Sequence, residues 1–287
     1  MNLFDLHCDT ATALYRNNLS FDNEKAHLNA KNVEGHTVIQ CFAVFLNDQK
    51  NPPDGMDFFD GVVRTVFPQL HRPGLTPILT VEGAGVLARD PNWIEKIAAA
   101  GCKMAGLVWN GTNPLATGAV TDDKAGLTPL GKKTVLELIA RKIAVDVSHL
   151  SAKGTEELLS LTDAPIVASH SNARRIHDHP RNLSDEAAKE IFARGGLVGL
   201  NLYPQFLCSH NAGVDDILRH AEHFLSLGGK DGLALGCDLD GIDELPEGMK
   251  DFSSLPLLYD RFRSTFGAET ADDIFYRNGK NFFDYFS

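Results

Sequence analysis

No two cysteines in this chain have the Cys-x-x-Cys spacing of a redox or zinc-binding motif. The five present, Cys8, Cys41, Cys102, Cys208 and Cys237, are odd in number and scattered. That pattern excludes a disulfide framework and a paired-thiolate metal site, and it makes the cytoplasm the simplest address. No apolar run approaches the ~20 residues of a membrane span. Met1 leads straight into strand-like sequence, so no signal peptide is expected. No cluster of Lys and Arg offsets a formal charge of -11 and a pI near 5.4, which argues against a nucleic-acid partner. The Gly-x-Gly-x-x-Gly fingerprint of a dinucleotide-binding sheet is missing after the first apolar run.

What is present is apolar material in eight short runs. The chain is 43% hydrophobic over 287 residues, enough to bury a large core. The runs fall at 3–9, 38–45, 77–82, 104–110, 143–149, 165–170, 197–203 and 232–238. Between them lie stretches with helical spacing, at 11–19, 56–70, 93–100, 128–142, 151–161, 184–195 and 214–227. Two more, 255–266 and 271–286, close the chain. Asn51-Pro52-Pro53-Asp54-Gly55 and Pro73-Gly74 break it, 21–35 reads as loop, and Gly101 stops the helix before it. Thr128 before Pro129, Ser151 and Ser184 have the chemistry of helix N-caps. Near-continuous apolar strands alternating with helices describe a parallel sheet covered on both faces. Eight such units predict α/β architecture closed as a single (β/α)8 TIM barrel over residues 1–287, with its active site at the carboxyl ends of the strands.

The polar residues at those ends are His7 and Asp9, Glu82, His149, His170 and Asp238. A strand sends alternate side chains to one face, so His7 and Asp9 are expected to point together. Three imidazoles and two carboxylates exceed the needs of one tetrahedral catalytic zinc. They suit two ions about 3.5–4 Å apart that share a carboxylate and a water. Cys8, Cys41 and Cys237 read as small core residues. Asp5 and Asp146 lie inside strands and need partners if buried. Asp240 supports Asp238 or caps the next turn, and His177 and His179 read as solvated loop, with help in binding substrate beside Arg181 as the alternative.

Taken in order, His7-x-Asp9, Glu82-Gly83, Ser148-His149, Ser169-His170-Ser171, Arg181-Asn182 and Cys237-Asp238-Leu239-Asp240-Gly241 resemble the membrane (renal) dipeptidase family, peptidase family M19. That family belongs to the metal-dependent amidohydrolases. The likeness runs from residue 5 to Asn278-Gly279-Lys280-Asn281-Phe282. It implies a binuclear zinc dipeptidase, with two Zn²⁺ or another divalent metal. By the resemblance His7 and Asp9 hold the first ion, Glu82 bridges, and His149 and His170 hold the second. Arg181 receives the substrate carboxylate, and Asp238 is the catalytic acid/base. In the family's well-studied dipeptidases a His that contacts the scissile carbonyl stands where this chain has Trp109. Trp109 and Asn110 are therefore expected at the substrate. The implied activity is hydrolysis of small dipeptides, D-residue ones among them, by a metal-bridging hydroxide. Its alternative is a two-metal reaction on another small amide, a lactam, lactone or cyclic imide. A dipeptide-sized partner is expected, with no nucleic acid and no membrane, and a homodimer is compatible with the sequence.

Overall fold

Aliphatic and β-branched residues fill both faces of the apolar runs, so each strand must be covered inside and out. In the computed structural model, which describes residues 1–47, 49–50 and 54–285, that requirement is met by a closed barrel. Its parallel strands pair in chain order: β1 (Asn2–Cys8), β2 (Thr37–Phe45), β3 (Leu75–Glu82), β4 (Met104–Gly106), β5 (Ala144–Asp146), β6 (Val167–Ala168), β7 (Leu197–Leu200) and β8 (Leu233–Leu235). β8 returns to β1 through Asp5 and Leu235. The helices form the outer layer. Among the described residues no helix is long and apolar enough to cross a membrane. The expected break at Asn51-Pro52-Pro53 and the last residue of the closing helix, Phe286, lie outside the described residues.

Local chemistry explains most element ends. Thr128, Ser151 and Ser184 cap their helices, their hydroxyls accepting from the amides of Gly131, Gly154 and Ala187 at 3.0, 3.0 and 3.2 Å. The helix expected over 56–70 is two, Met56–Thr65 and Phe67–Leu70, because Pro68 has no N–H to continue the first. The closing helix begins earlier than expected, at Ala268–Asp272, and passes through a π-helical turn at Asp273–Arg277 before Asn278–Tyr285.

The other departure shapes the site. From β4 onward the ladder stops short of the apolar run, ending at Gly106, Asp146, Ala168, Leu200 and Leu235. Past these points side chains replace carbonyls as partners of several amides. Asp146 Oδ1 accepts from the amides of Ser148 and Ser169, both at 3.0 Å. Asp5 Oδ1 accepts from Cys237 N at 2.8 Å, and Asn172 Oδ1 from Asn201 N at 3.1 Å. The two strand-interior carboxylates thus find backbone partners on neighbouring strands.

The opposite end of the barrel is plugged. Phe282 and Phe283 enter an interior cluster with Phe4, Leu6, Cys41 and Met104, and the rings of Phe4 and Phe283 stack at 5.2 Å. Gly279 lets the helix come this close, since a Cβ there would lie 2.5 Å from Phe4 Cδ1. Removing a buried ring leaves a cavity the frame cannot collapse. Phe283→Ala is therefore expected to cost about 3–5 kcal/mol of stability, read as a lower denaturant midpoint. An unchanged midpoint would remove the plug from the fold's energetics.

Candidate active site

The register of β1 against β2 slips between Asp5, which faces Gln40, and Cys8, which faces Phe42. The irregularity turns His7 and Asp9 toward each other over the barrel mouth. His7 Nε2 lies 3.2 Å from Glu82 Oε2, 3.5 Å from Asp9 Oδ2 and 3.8 Å from Asp238 Oδ1. Glu82's other oxygen, Oε1, lies 2.9 Å from His149 Nε2, and the Nε2 atoms of His149 and His170 face each other at 3.0 Å. The ligand atoms of His7, Asp9 and Glu82 lie mutually within 4.8 Å, as do those of Glu82, His149 and His170 and those of His7, His170 and Asp238. One carboxylate, Glu82, is common to two groups and offers each a different oxygen.

These residues fit divalent cations on the geometry alone. His7 Nε2 and Asp9 Oδ1 are inaccessible and have no hydrogen-bond partner among the described residues, although buried polar atoms are normally paired. Around His149 the converging atoms are a carboxylate oxygen and a second imidazole nitrogen, a set that calls for a positive centre. Burial, and after it the charge of Arg181, pushes His149 down to about 4. Burial and the His7 charge hold His170 well below the ordinary imidazole range. Both rings are therefore neutral at pH 7, the form that ligates. Burial lifts Asp9 to about 6, helped by the Glu82 charge. Burial also lifts Asp238 to about 7, against the pull of His7. Burial disfavours charge on His7 too, yet the carboxylates of Asp9 and Glu82 beside it keep it well above the usual range.

Beside this cluster lies a cavity of about 650 Å³. Arg181 faces it while only 3% exposed, and its Nε, Nη1 and Nη2 have no hydrogen-bond partner among the described residues. Its guanidinium sits 5.4 Å over the Phe206 ring. The loop that carries it is pinned by hydrogen bonds although Arg175, Ile176, Asp178 and Pro180 are exposed. Asn182 Nδ2 donates to the carbonyls of His177 and Phe206 at 2.9 and 2.8 Å. His179 Nδ1 accepts from Arg181 N at 3.1 Å, and His179 joins the cavity wall. His220 ties the start of the loop, accepting from Ala173 N at 3.0 Å while its other nitrogen meets Leu207 O at 2.9 Å.

Trp109 packs beside Phe45 in the cavity wall, with ring centroids 5.0 Å apart, and lies 6.3 Å from the His149 ring. Asn110 also lines the cavity, but its side-chain oxygen is 3.1 Å from His149 Nδ1, so it holds that ring as well. Asp238 is held in turn by Asn201, whose Nδ2 donates to Asp238 Oδ2 at 3.0 Å. Asn201 was not among the residues picked from the sequence. Its signal there is an amide within the apolar run 197–203. Asp240 does neither of the things expected in isolation. It accepts from Thr10 Oγ1 at 2.6 Å and His27 N at 2.7 Å, fastening the 21–35 loop to the mouth.

Asp238 and Asp240 both have left-handed backbone, with φ of 60° and 62°. This strained turn lays Gly241 against the carboxylates. A Cβ on Gly241 would lie 2.3 Å from both Asp238 Oδ1 and Asp9 Oδ2.

A family model described as membrane dipeptidase (peptidase family M19) matches residues 64–282. An uncharacterized dipeptidase of Schizosaccharomyces pombe is 32% identical over 193 residues, 66% of this chain and 47% of its own length. The chain therefore spans about half of that relative. An uncharacterized Klebsiella pneumoniae protein from the pqqA 5′ region is 32% identical over 216 residues, 71% of this chain and 79% of that one. Among solved structures, a metallo peptidase from Rhodobacter sphaeroides, liganded with a phosphinate mimic of the dipeptide L-Ala-D-Ala, superposes with a TM-score of 0.83. It shares 24% identity over 99% of both chains, a likeness of fold.

Proposed function

Because the chain belongs to the membrane dipeptidase family, peptidase family M19, we propose that it is a zinc-dependent dipeptidase acting on small, free dipeptides. The observation that carries this reading is Arg181, a buried guanidinium whose nitrogens have no hydrogen-bond partner among the described residues, sharing one cavity with the ligand cluster. A charge is not left unpaired in a dry site without cost, and the flat fork of Arg suits a carboxylate's two oxygens. A substrate carboxylate is the partner that completes it. We read residues 1–287 as one catalytic unit.

In this reading His7 and Asp9 would hold one ion, His149 and His170 the other, and Glu82 would serve both. Two ions so held, when bound, acidify a water and polarise the scissile carbonyl. Arg181 fixes the terminal carboxylate and so sets which bond reaches the cluster. Trp109 and Phe45 wall the far side and exclude water. Asp238, oriented by Asn201, takes a proton from the attacking water and delivers it to the leaving amine, which cannot depart unprotonated. The Rhodobacter sphaeroides neighbour's ligand motivates including D-residue dipeptides among the substrates.

The test compares free dipeptides of both stereochemistries with their C-terminal amides, alongside lactams, lactones and cyclic imides. Arg181→Ala is expected to lower kcat/KM for free dipeptides by roughly 10²-fold, the worth of a pair of charge-assisted hydrogen bonds. Amidated substrates should lose far less. Equal losses on both would remove Arg181 from carboxylate recognition, and a wild-type preference for the cyclic substrates would replace the dipeptide reading.

A further inference from the structure

The two Ser-His pairs, Ser148-His149 and Ser169-His170, meet one buried carboxylate that the reaction does not use. Asp146 Oδ1 accepts from Ser148 Oγ at 2.8 Å in addition to the amides of Ser148 and Ser169. Asp146 Oδ2 accepts from Ser169 Oγ at 2.5 Å. Ser169 Oγ in turn lies 2.7 Å from His170 Nδ1, and Ser148 Oγ accepts from His170 N at 2.9 Å. Asp146, both serines and His170 are all buried.

The protons can then be counted. A hydroxyl has one hydrogen, and a carboxylate has none to give. If Ser169 gave its hydrogen to His170, its oxygen would face Asp146 Oδ2 at 2.5 Å with lone pairs on both sides. Its hydrogen therefore goes to Asp146. Ser148 has its own for Asp146 Oδ1 at 2.8 Å or for Ser169 Oγ at 3.1 Å, and in neither case for the ring. The 2.7 Å contact of Ser169 with the ring must then be donated by His170, from Nδ1–H.

We infer that Asp146 and Ser169 are positioning residues that lock His170 as its Nδ1-protonated tautomer, turning the Nε2 lone pair toward His149 and Glu82. The inference builds on the metal-dependent reading of the cluster. A ligating imidazole commonly has its remote N–H held by a carboxylate, carbonyl or water, which fixes the ring and strengthens its donor nitrogen. Here a hydroxyl carries that influence from a carboxylate one strand away. The lock is set by the fold, before any ion arrives.

Two measurements on the full chain test it. Histidine labelled with ¹⁵N reads the tautomer directly, in metal-stripped and Zn²⁺-loaded protein. His170 is expected as Nδ1–H in both, and as a mixture in stripped Ser169→Ala. Ser148→Ala, which takes the same carboxylate's other hydroxyl but no ring contact, should keep the Nδ1–H form. Zn²⁺ affinity, measured by chelator competition, should fall about 10–100-fold for one ion in Ser169→Ala, with the thermal midpoint of the stripped protein no lower than that of Ser148→Ala. A wild-type His170 protonated at Nε2 overturns the inference whatever the metal does. So does a Ser169→Ala protein with unchanged tautomer and unchanged affinity. A wild-type chain that shows the expected tautomer but takes up no divalent ion would leave the lock standing and overturn the metal reading instead.

Discussion

Dialysis against a strong chelator is expected to reduce dipeptide hydrolysis by at least about 10³-fold, and added Zn²⁺ to restore it. The expectation follows from what converges at the barrel mouth. Glu82 Oε1 lies 2.9 Å from His149 Nε2, which faces His170 Nε2 at 3.0 Å, and both rings are neutral acceptors once Nδ1 carries the proton. Asp9 and Asp238 sit close by, lifted by burial to about 6 and about 7. The same stripping should lower the thermal midpoint, because a ligand of the folded state alone stabilises it by mass action. Asp9→Ala should retain about one ion per chain, since Glu82, His149 and His170 remain intact around the other. Full activity in protein shown by metal analysis to be stripped would sink the mechanism. A count still near two in Asp9→Ala would sink the division of ligands between ions.

The barrel was legible because its requirement is local and repeated. Each apolar run needs two covered faces, and eight runs spaced by helices leave few other closures. Cap residues were legible for the same reason, as Thr128, Ser151 and Ser184 act on amides three residues on. The convergence of His7, Glu82, His149, His170 and Asp238 could be anticipated because a parallel barrel brings every strand's carboxyl end to one face. What stayed hidden was whatever depends on contacts distant in sequence. Asp146 closes β5 and β6 from 23 residues away, and Asp5 reaches Cys237 across 232. From residue types alone these were buried acids without partners. The true strand ends were unreadable for the same cause, since a side chain rather than a carbonyl finishes the ladder. His179 was expected in solvent because its neighbours are polar. Only the fold sets its ring 4.6 Å from Phe206.

Asp238→Asn is expected to lower kcat by about 10²–10⁴-fold while leaving KM and the metal content close to wild type. Asparagine is the informative replacement. Position 238 has φ of 60°, a conformation that Asn tolerates and most other residues do not, so the backbone of the turn and the packing on Gly241 survive. The amide can also present its oxygen to Asn201 Nδ2, keeping the 3.0 Å bond that orients the group. What it cannot do is accept a proton from water and return it to an amine. An alanine would confound that loss with backbone strain and an orphaned Asn201. The outcome separates two roles that proximity alone leaves entangled, since Asp238 Oδ1 is 3.8 Å from His7 Nε2 and could itself touch an ion. If Asp238→Asn loses an ion together with its activity, ligation is its task. Retained ions with a collapsed kcat assign it the proton. The assignment also predicts which substrates suffer least. Esters and activated anilides, whose leaving groups need little protonation, should retain more of the wild-type rate than dipeptides in the same variant.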